Sequence, residues 1–333
     1  MAFEGTSGGY NGWIFTNLAS WFGLSYDLEE IPTTMNTLPR LPEFDYVRPE
    51  TIAEASRFLA AHAGEARPFL GGTDLFVQMR DRVSKPKYLV DIKCLPGMND
   101  ISYDPSVGLT IGAAVNMNRV IAFPQVREHY QVLAEAAQSV ASYQLRSRAT
   151  IVGNICNASP AGDTIGACLL LDGVLNIHGQ DGMRQEPLKD FFLGPRMAAL
   201  RKGDIVTSIQ LLAAPDGLTG KYLKLGRNRM SDLAIVGVTA IGYPDQSVAS
   251  GYRMKIALAS VAPTPLVVDR VETILGETSI TEERLILAAQ AAMEACKPID
   301  DVRASARYRR YMVRNLSLRA MRAVWEGLQG RAA

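Results

Sequence analysis

RPFLGGTDLFVQMR, Arg67 to Arg80, joins a short apolar run to a turn of two glycines, a threonine and an aspartate, and then to an apolar stretch of helical character. The run reads as a strand over Pro68 to Leu70 and the continuation as a helix beginning within Asp74 to Arg80. Adjacent glycines let main-chain N–H groups press against a phosphate-bearing ligand, where a Cβ would hold them off. The spacing is not G-x-G-x-x-G, and no Gly-Lys-Ser/Thr follows, so the Rossmann and Walker loops are both excluded. A second segment of similar chemistry, ATIVGNICNASPAGDT, runs from Ala149 to Thr164. Either segment taken alone also reads as an ordinary tight turn.

Working outward, Thr51 with Glu54 forms a capping box before a helix over Ile52 to Ala63 that ends at Gly64, and Lys87 to Ile92 reads as a strand. Strand, helix and strand in this order describe a small α+β or α/β unit with the GGTD turn at a strand end. Gly108 to Val120 reads as a strand followed by a helix start, and Tyr130 to Tyr143 as a continuous helix. Strands follow in DGVLNIHG and GDIVTSIQLL, and the turn-rich Pro215 to Gly220 marks a boundary. Beyond it, KYLKLGRNRMSDLAIVGVTAIGY places two strands about a basic turn, and MKIALASVAP adds another. A capping box of Ser279 and Glu282 opens a helix through Ala295, and Ser305 to Gly327 forms the last one. The C-terminal third is therefore a separate α+β unit.

Composition narrows the function. At 333 residues the chain holds two or three cores. A net charge of +1 argues against a polyanion partner, and the arginines at 303, 307, 309, 310, 314, 319 and 322 read as a solvated or inter-subunit face. Cys94, Cys156, Cys168 and Cys296 are scattered, and His62, His129 and His178 add no cluster, so neither a zinc site nor an iron–sulfur site of its own is expected. The four thiols read as small buried hydrophobes in a reducing cytoplasm. No Ser-His-Asp set, H-E-x-x-H or convincing carboxylate pair is present, so no catalytic side chain is named. Gly12 to Leu24 reads as a short amphipathic helix, too short and polar to span a bilayer and with no Lys or Arg before Arg40 to make a signal peptide. Its apolar stripe docks on the chain's own core, on a partner subunit or on a membrane surface.

FLGGTDLFVQMR, TIVGNICNASPAGDT, YLKLGRNRMSDLAIVGV and RASARYRRYMVRNL, in this order, resemble the FAD-binding medium subunits of the molybdenum hydroxylases, the xanthine dehydrogenase and carbon monoxide dehydrogenase family. The resemblance spans about Glu43 to Val324 and implies an α+β fold of the vanillyl-alcohol-oxidase/carbon-monoxide-dehydrogenase type. It implies two FAD-binding subdomains within residues 42–214, split near 100, and a smaller domain over 218–327, with residues 1–41 as an extension that contacts a partner subunit. Carried over residue by residue, Leu70, Gly71, Gly72, Thr73, Asp74 and Leu75 would wrap the pyrophosphate of FAD, and Thr150, Ile151, Val152, Gly153 and Asn154 would form a second loop beside it. Asp163, Val206 and Lys224 complete the implied set; from the residues alone, Asp163 also reads as an N-cap and Lys224 as a surface charge.

The family pattern often has Gly-Gly-Asn where this chain has Val152-Gly153-Asn154, which implies a looser approach at one backbone position. The scattered cysteines do not match the cysteine-rich insert of the hydroxybenzoyl-CoA reductase branch. The resemblance further implies a large molybdenum-cofactor subunit, a small subunit with two [2Fe–2S] clusters, a dimer of heterotrimers, and an electron acceptor such as NAD, a quinone or oxygen. The rival readings are a flavin-free scaffold subunit and a stand-alone flavin oxidase.

Overall fold

The computed structural model describes residues 40–228 and 231–332. The amphipathic stretch at Gly12 to Leu24 lies outside the described residues. From residue 41 onward the chain builds three main sheets. β1 (Asp45–Val47), β2 (Ala66–Phe69) and β3 (Tyr88–Asp91) form a parallel sheet in the order β1-β3-β2. The crossovers contain α1 (Ile52–Ala61) and α2 (Leu75–Arg80). Thr51 caps α1, its Oγ1 accepting from the Glu54 N–H at 3.1 Å, while the Glu54 carboxylate reaches back to the Glu50 N–H at 2.8 Å. The second sheet is antiparallel, in the order β4-β5-β10-β6-β7, from β4 (Ile101–Asp104), β5 (Gly108–Gly112), β6 (Val174–Gly179), β7 (Gly182–Pro187) and β10 (Ile205–Leu211). A small hairpin of β8 (Phe192–Gly194) and β9 (Met197–Ala198) precedes β10.

Between β5 and β6 come α3 (Met117–Ala122), α4 (Pro124–His129), α5 (Gln131–Gln138), α6 (Tyr143–Arg146), α7 (Ile151–Cys156) and α8 (Ile165–Leu170). The continuous helix expected over Tyr130 to Tyr143 is thus broken after Gln138. Ser139 turns its hydroxyl onto the Ala136 carbonyl at 2.7 Å, Ala141 takes φ +43°, and Ser142 caps α6. Serines that bond the local backbone compete with the helix ladder, which the apolar periodicity does not register.

The third sheet, β11 (Thr219–Leu225), β12 (Val236–Pro244), β13 (Tyr252–Ala259) and β14 (Leu266–Val267), is antiparallel in that order. Val236 to Gly242 is buried throughout, because α11 (Ala306–Ala332) packs against β12 together with α8 from the other part of the fold. That is why this strand reads as an unbroken apolar run rather than an alternation. α9 (Asp269–Gly276) and α10 (Glu282–Ala295) complete the cover. The cap of α10 is Thr281, whose Oγ1 accepts from the Arg284 N–H, and not the expected Ser279. Thr281→Ala is therefore expected to cost about 1 kcal/mol and Ser279→Ala only a few tenths, measured as the shift in urea midpoint.

Two readings of side chains change. Arg309, expected on a solvated or inter-subunit face, is 1% exposed; it donates to the carbonyls of Ile235 at 2.6 Å and Ser260 at 3.1 Å and pairs with Asp301 at 2.7 Å. A helix-surface pattern cannot see the loop carbonyls that claim it. Cys94 is exposed and Cys156 half-buried, while Cys168 and Cys296 are buried as expected. Among the described residues, no helix is long and apolar enough to cross a membrane.

Candidate functional site

The Leu70–Asp74 turn bridges the end of β2 and the start of α2. Gly72 sits at φ +74°, and a Cβ there would lie 2.6 Å from the Phe69 ring. Gly71 has a different reason to be glycine. A Cβ on it would lie 2.1 Å from the Arg148 carbonyl oxygen, because this turn abuts the backbone that leads into Thr150. The two motifs, far apart in sequence, thus touch through main chain.

Both motifs present unused donors. Among the described residues, the N–H groups of Gly71, Gly72, Thr73 and Asp74 have no acceptor, nor does that of Val152 in the first turn of α7, while the bridge between Asn116 and Thr150 turns the Ile151 N–H toward the Val115 carbonyl. Thr150 is buried, and its Oγ1 accepts from the Gly153 N–H at 2.9 Å, which fixes that first turn. A cleft of about 90 Å³ lies between the motifs, lined among others by Leu70, Gly71, Lys93, Asn116, Arg148 and Thr150. No Asp or Glu lines it, and two cationic residues, Lys93 and Arg148, do, the Lys93 ammonium being paired with Asp91 just outside the wall. Unpaired main-chain donors beside cations, with no anion in the wall, are a donor set for a phosphate-bearing ligand. The residues present fit the diphosphate of FAD.

At the far end of the turn, Gln78 donates to Asn157 Oδ1 at 3.2 Å, which ties α2 to the end of α7. Surrounding protein desolvates the Asp74 carboxyl and raises its pKa although part of its surface stays open; Arg196 and Asn157 oppose the rise. Val152, where a looser approach was expected, buries its side chain in the core and is absent from the cleft wall.

Asp163 and Lys224 form a second cluster. Lys224 Nζ donates to Asp163 Oδ2 at 2.8 Å and to the Ser139 carbonyl at 3.3 Å, and the Tyr222 hydroxyl donates to Asp163 Oδ1 at 2.6 Å. Asp163 is therefore no N-cap: α8 has no side-chain cap, and the carboxylate points to β11. Nor is Lys224 a surface charge, its side chain being 14% exposed. Burial pushes the Asp163 carboxyl up, and Lys224 and Tyr222 pull against it. Burial and the neighbouring carboxylate raise the Tyr222 phenol well above its usual range, so it stays a donor. Asn154 Oδ1 accepts from the Thr164 hydroxyl at 2.9 Å, linking the second motif to this cluster.

Val206 joins neither group. Its side chain is in the core, just before a bulge in β10, and the neighbouring Thr207 carbonyl accepts from the Ala113 N–H. Sequence reasoning missed Lys93, Asn116, Arg148 and Tyr222. For Tyr222 a signal existed: it is two residues from Lys224 on a strand, hence on the same face.

The family described as the FAD binding domain in molybdopterin dehydrogenase matches residues 42–211, and the CO dehydrogenase flavoprotein C-terminal domain matches residues 221–324. The chain is 31% identical over 284 residues to the carbon monoxide dehydrogenase medium chain of Hydrogenophaga pseudoflava, covering 85% of this chain and 98% of that one. It is 27% identical over 273 residues to a putative xanthine dehydrogenase FAD-binding subunit of Escherichia coli strain K12, covering 82% and 92%. A chain of the solved carbon monoxide dehydrogenase from Hydrogenophaga pseudoflava, in the form lacking the Mo-pyranopterin moiety of the molybdenum cofactor, superposes with a TM-score of 0.82 over 86% of this chain and 99% of its own.

Proposed function

Because the chain belongs to the FAD-binding medium subunits of the molybdenum hydroxylases, and so is an oxidoreductase component with FAD as its cofactor, we propose that it relays electrons between a small [2Fe–2S] subunit and an external acceptor. The carrying observation is the close main-chain approach at Gly71, which sets the unpaired N–H groups of the Leu70–Asp74 turn beside the backbone leading into Thr150, with Gly71 and Thr150 both lining the cleft. In this reading Leu70 to Leu75 and Thr150 to Asn154 hold the diphosphate by backbone donors, supported by the Thr73 hydroxyl. Asp163 and Lys224 stand toward the rest of the cofactor as a paired carboxylate and ammonium, and the Val206 backbone contacts its adenine side. FAD supplies the redox chemistry, which couples single-electron donors to a two-electron acceptor. The chain's residues bind and orient; no side chain is required as acid or base.

We assign residues 42–214 to the cofactor, 218–327 to a C-terminal domain and 1–41 to contact with a partner subunit. The substrate is hydroxylated in a large molybdenum subunit, in a dimer of heterotrimers working in the cytoplasm, and NAD, a quinone or oxygen takes the electrons. The test is the visible spectrum of the purified complex and identification of the extracted flavin. About one FAD per chain, bleached when the complex meets its reducing substrate, is expected. A complex without flavin would overturn the reading in favour of a scaffold subunit.

A further inference from the structure

Tyr222 and Lys224 leave the same face of β11, and each holds a different oxygen of Asp163. The Tyr222 ring is almost fully buried, and a Cβ on Gly237 would sit 3.1 Å from its hydroxyl oxygen and 3.1 Å from the Ala259 Cβ, so the glycine eases the fit around the hydroxyl. β11 is tied to α5 in the same neighbourhood, since Glu135 accepts from the Tyr222 N–H at 3.1 Å and from Lys221 Nζ at 3.0 Å.

We infer that Tyr222 is a positioning residue for the cofactor: its hydroxyl and the Lys224 ammonium together lock the Asp163 carboxylate, so that FAD affinity depends on both of these β11 donors. The inference rests on the proposed placement of Asp163 and Lys224 at the cofactor. A carboxylate with one oxygen held can swing about its Cβ–Cγ bond. With both held it cannot, and in a buried site the second donor also offsets the cost of desolvation.

The experiment titrates FAD into the de-flavinated full complex, following flavin fluorescence and the shape of the visible band. Tyr222→Phe is expected to raise the FAD Kd about tenfold, the worth of one hydrogen bond to a charged group. In an Asp163→Ala background Tyr222→Phe should add almost nothing, because loss of the carboxylate already removes the acceptor of the Tyr222 hydroxyl. If the two changes add independently, or if Tyr222→Phe leaves the Kd unaltered while Asp163→Ala raises it, Tyr222 only packs and the inference fails. If Asp163→Ala and Lys224→Ala both bind FAD like the wild type, the placement of the pair at the cofactor is what fails, and the inference falls with it.

Discussion

Gly71→Ala is expected to leave the complex without tightly bound FAD, raising the Kd by about a hundredfold, which corresponds to ~2.7 kcal/mol. The reason is distance. The new Cβ would fall 2.1 Å from the Arg148 carbonyl oxygen, and both partners are main chain, so no side chain can rotate away. One loop must move, and the unpaired donors of Gly71 to Asp74 then lose their register with the backbone that leads into α7. Overpacking of this kind also costs about 1–3 kcal/mol of stability. Gly64→Ala separates the two effects. Gly64 has φ +92° with nothing near its missing Cβ, so its substitution costs about 1 kcal/mol through the backbone alone and should leave the FAD Kd unchanged. A wild-type Kd in Gly71→Ala would refute the cradle.

The second large effect is on stability. Arg309→Met should destabilise the protein by about 3–5 kcal/mol, because it strips a buried cation from Asp301 and leaves the carbonyls of Ile235 and Ser260 without that donor. For a chain of this size that lowers the Tm by roughly 10 °C in a thermal scan. Arg310→Ala and Arg314→Ala, on the exposed side of the same helix, should stay within about 0.5 kcal/mol of the wild type.

The Asp301 carboxyl adds a pH signature. Burial alone would raise its pKa, but hydrogen bonds from Arg303, Arg309 and the Ala304 N–H outweigh burial and hold it well below the usual carboxylate range. A folded-state pKa below the unfolded one contributes stability that is complete above about pH 4 and is lost as pH falls through the depressed value. Removing Arg309 moves the folded value back toward normal. The variant's deficit should therefore persist at neutral pH and shrink as the solution is acidified. A deficit that stays constant down to low pH would mean that Asp301 contributes nothing through Arg309.

The parts of this fold legible in the sequence are those where a local rule and the tertiary context agree. The Thr51 cap, the β2–turn–α2 unit and the apolar β12 each carry their signal within a few residues. The readings that needed correction are those where a side chain was claimed by something distant in sequence or competing nearby. Ser139 and Ser142 interrupted a helix that apolar spacing made continuous, and Thr281 rather than Ser279 met the backbone donors of α10. Arg309 left a face that its helical spacing shares with exposed arginines, drawn in by loops far along the chain.

By itself, the sequence determined the class of fold, the glycine turn between β2 and α2, and the family to which the chain belongs, because these are written in short motifs and their order. Only the tertiary structure decided that Gly71 must lack a Cβ for Arg148's sake, that Tyr222 shares Asp163 with Lys224, and that Arg309 is internal. Each of these depends on two backbone segments meeting, and a linear pattern holds no record of which carbonyl, hydroxyl or ring will stand opposite a given residue once the layers have packed.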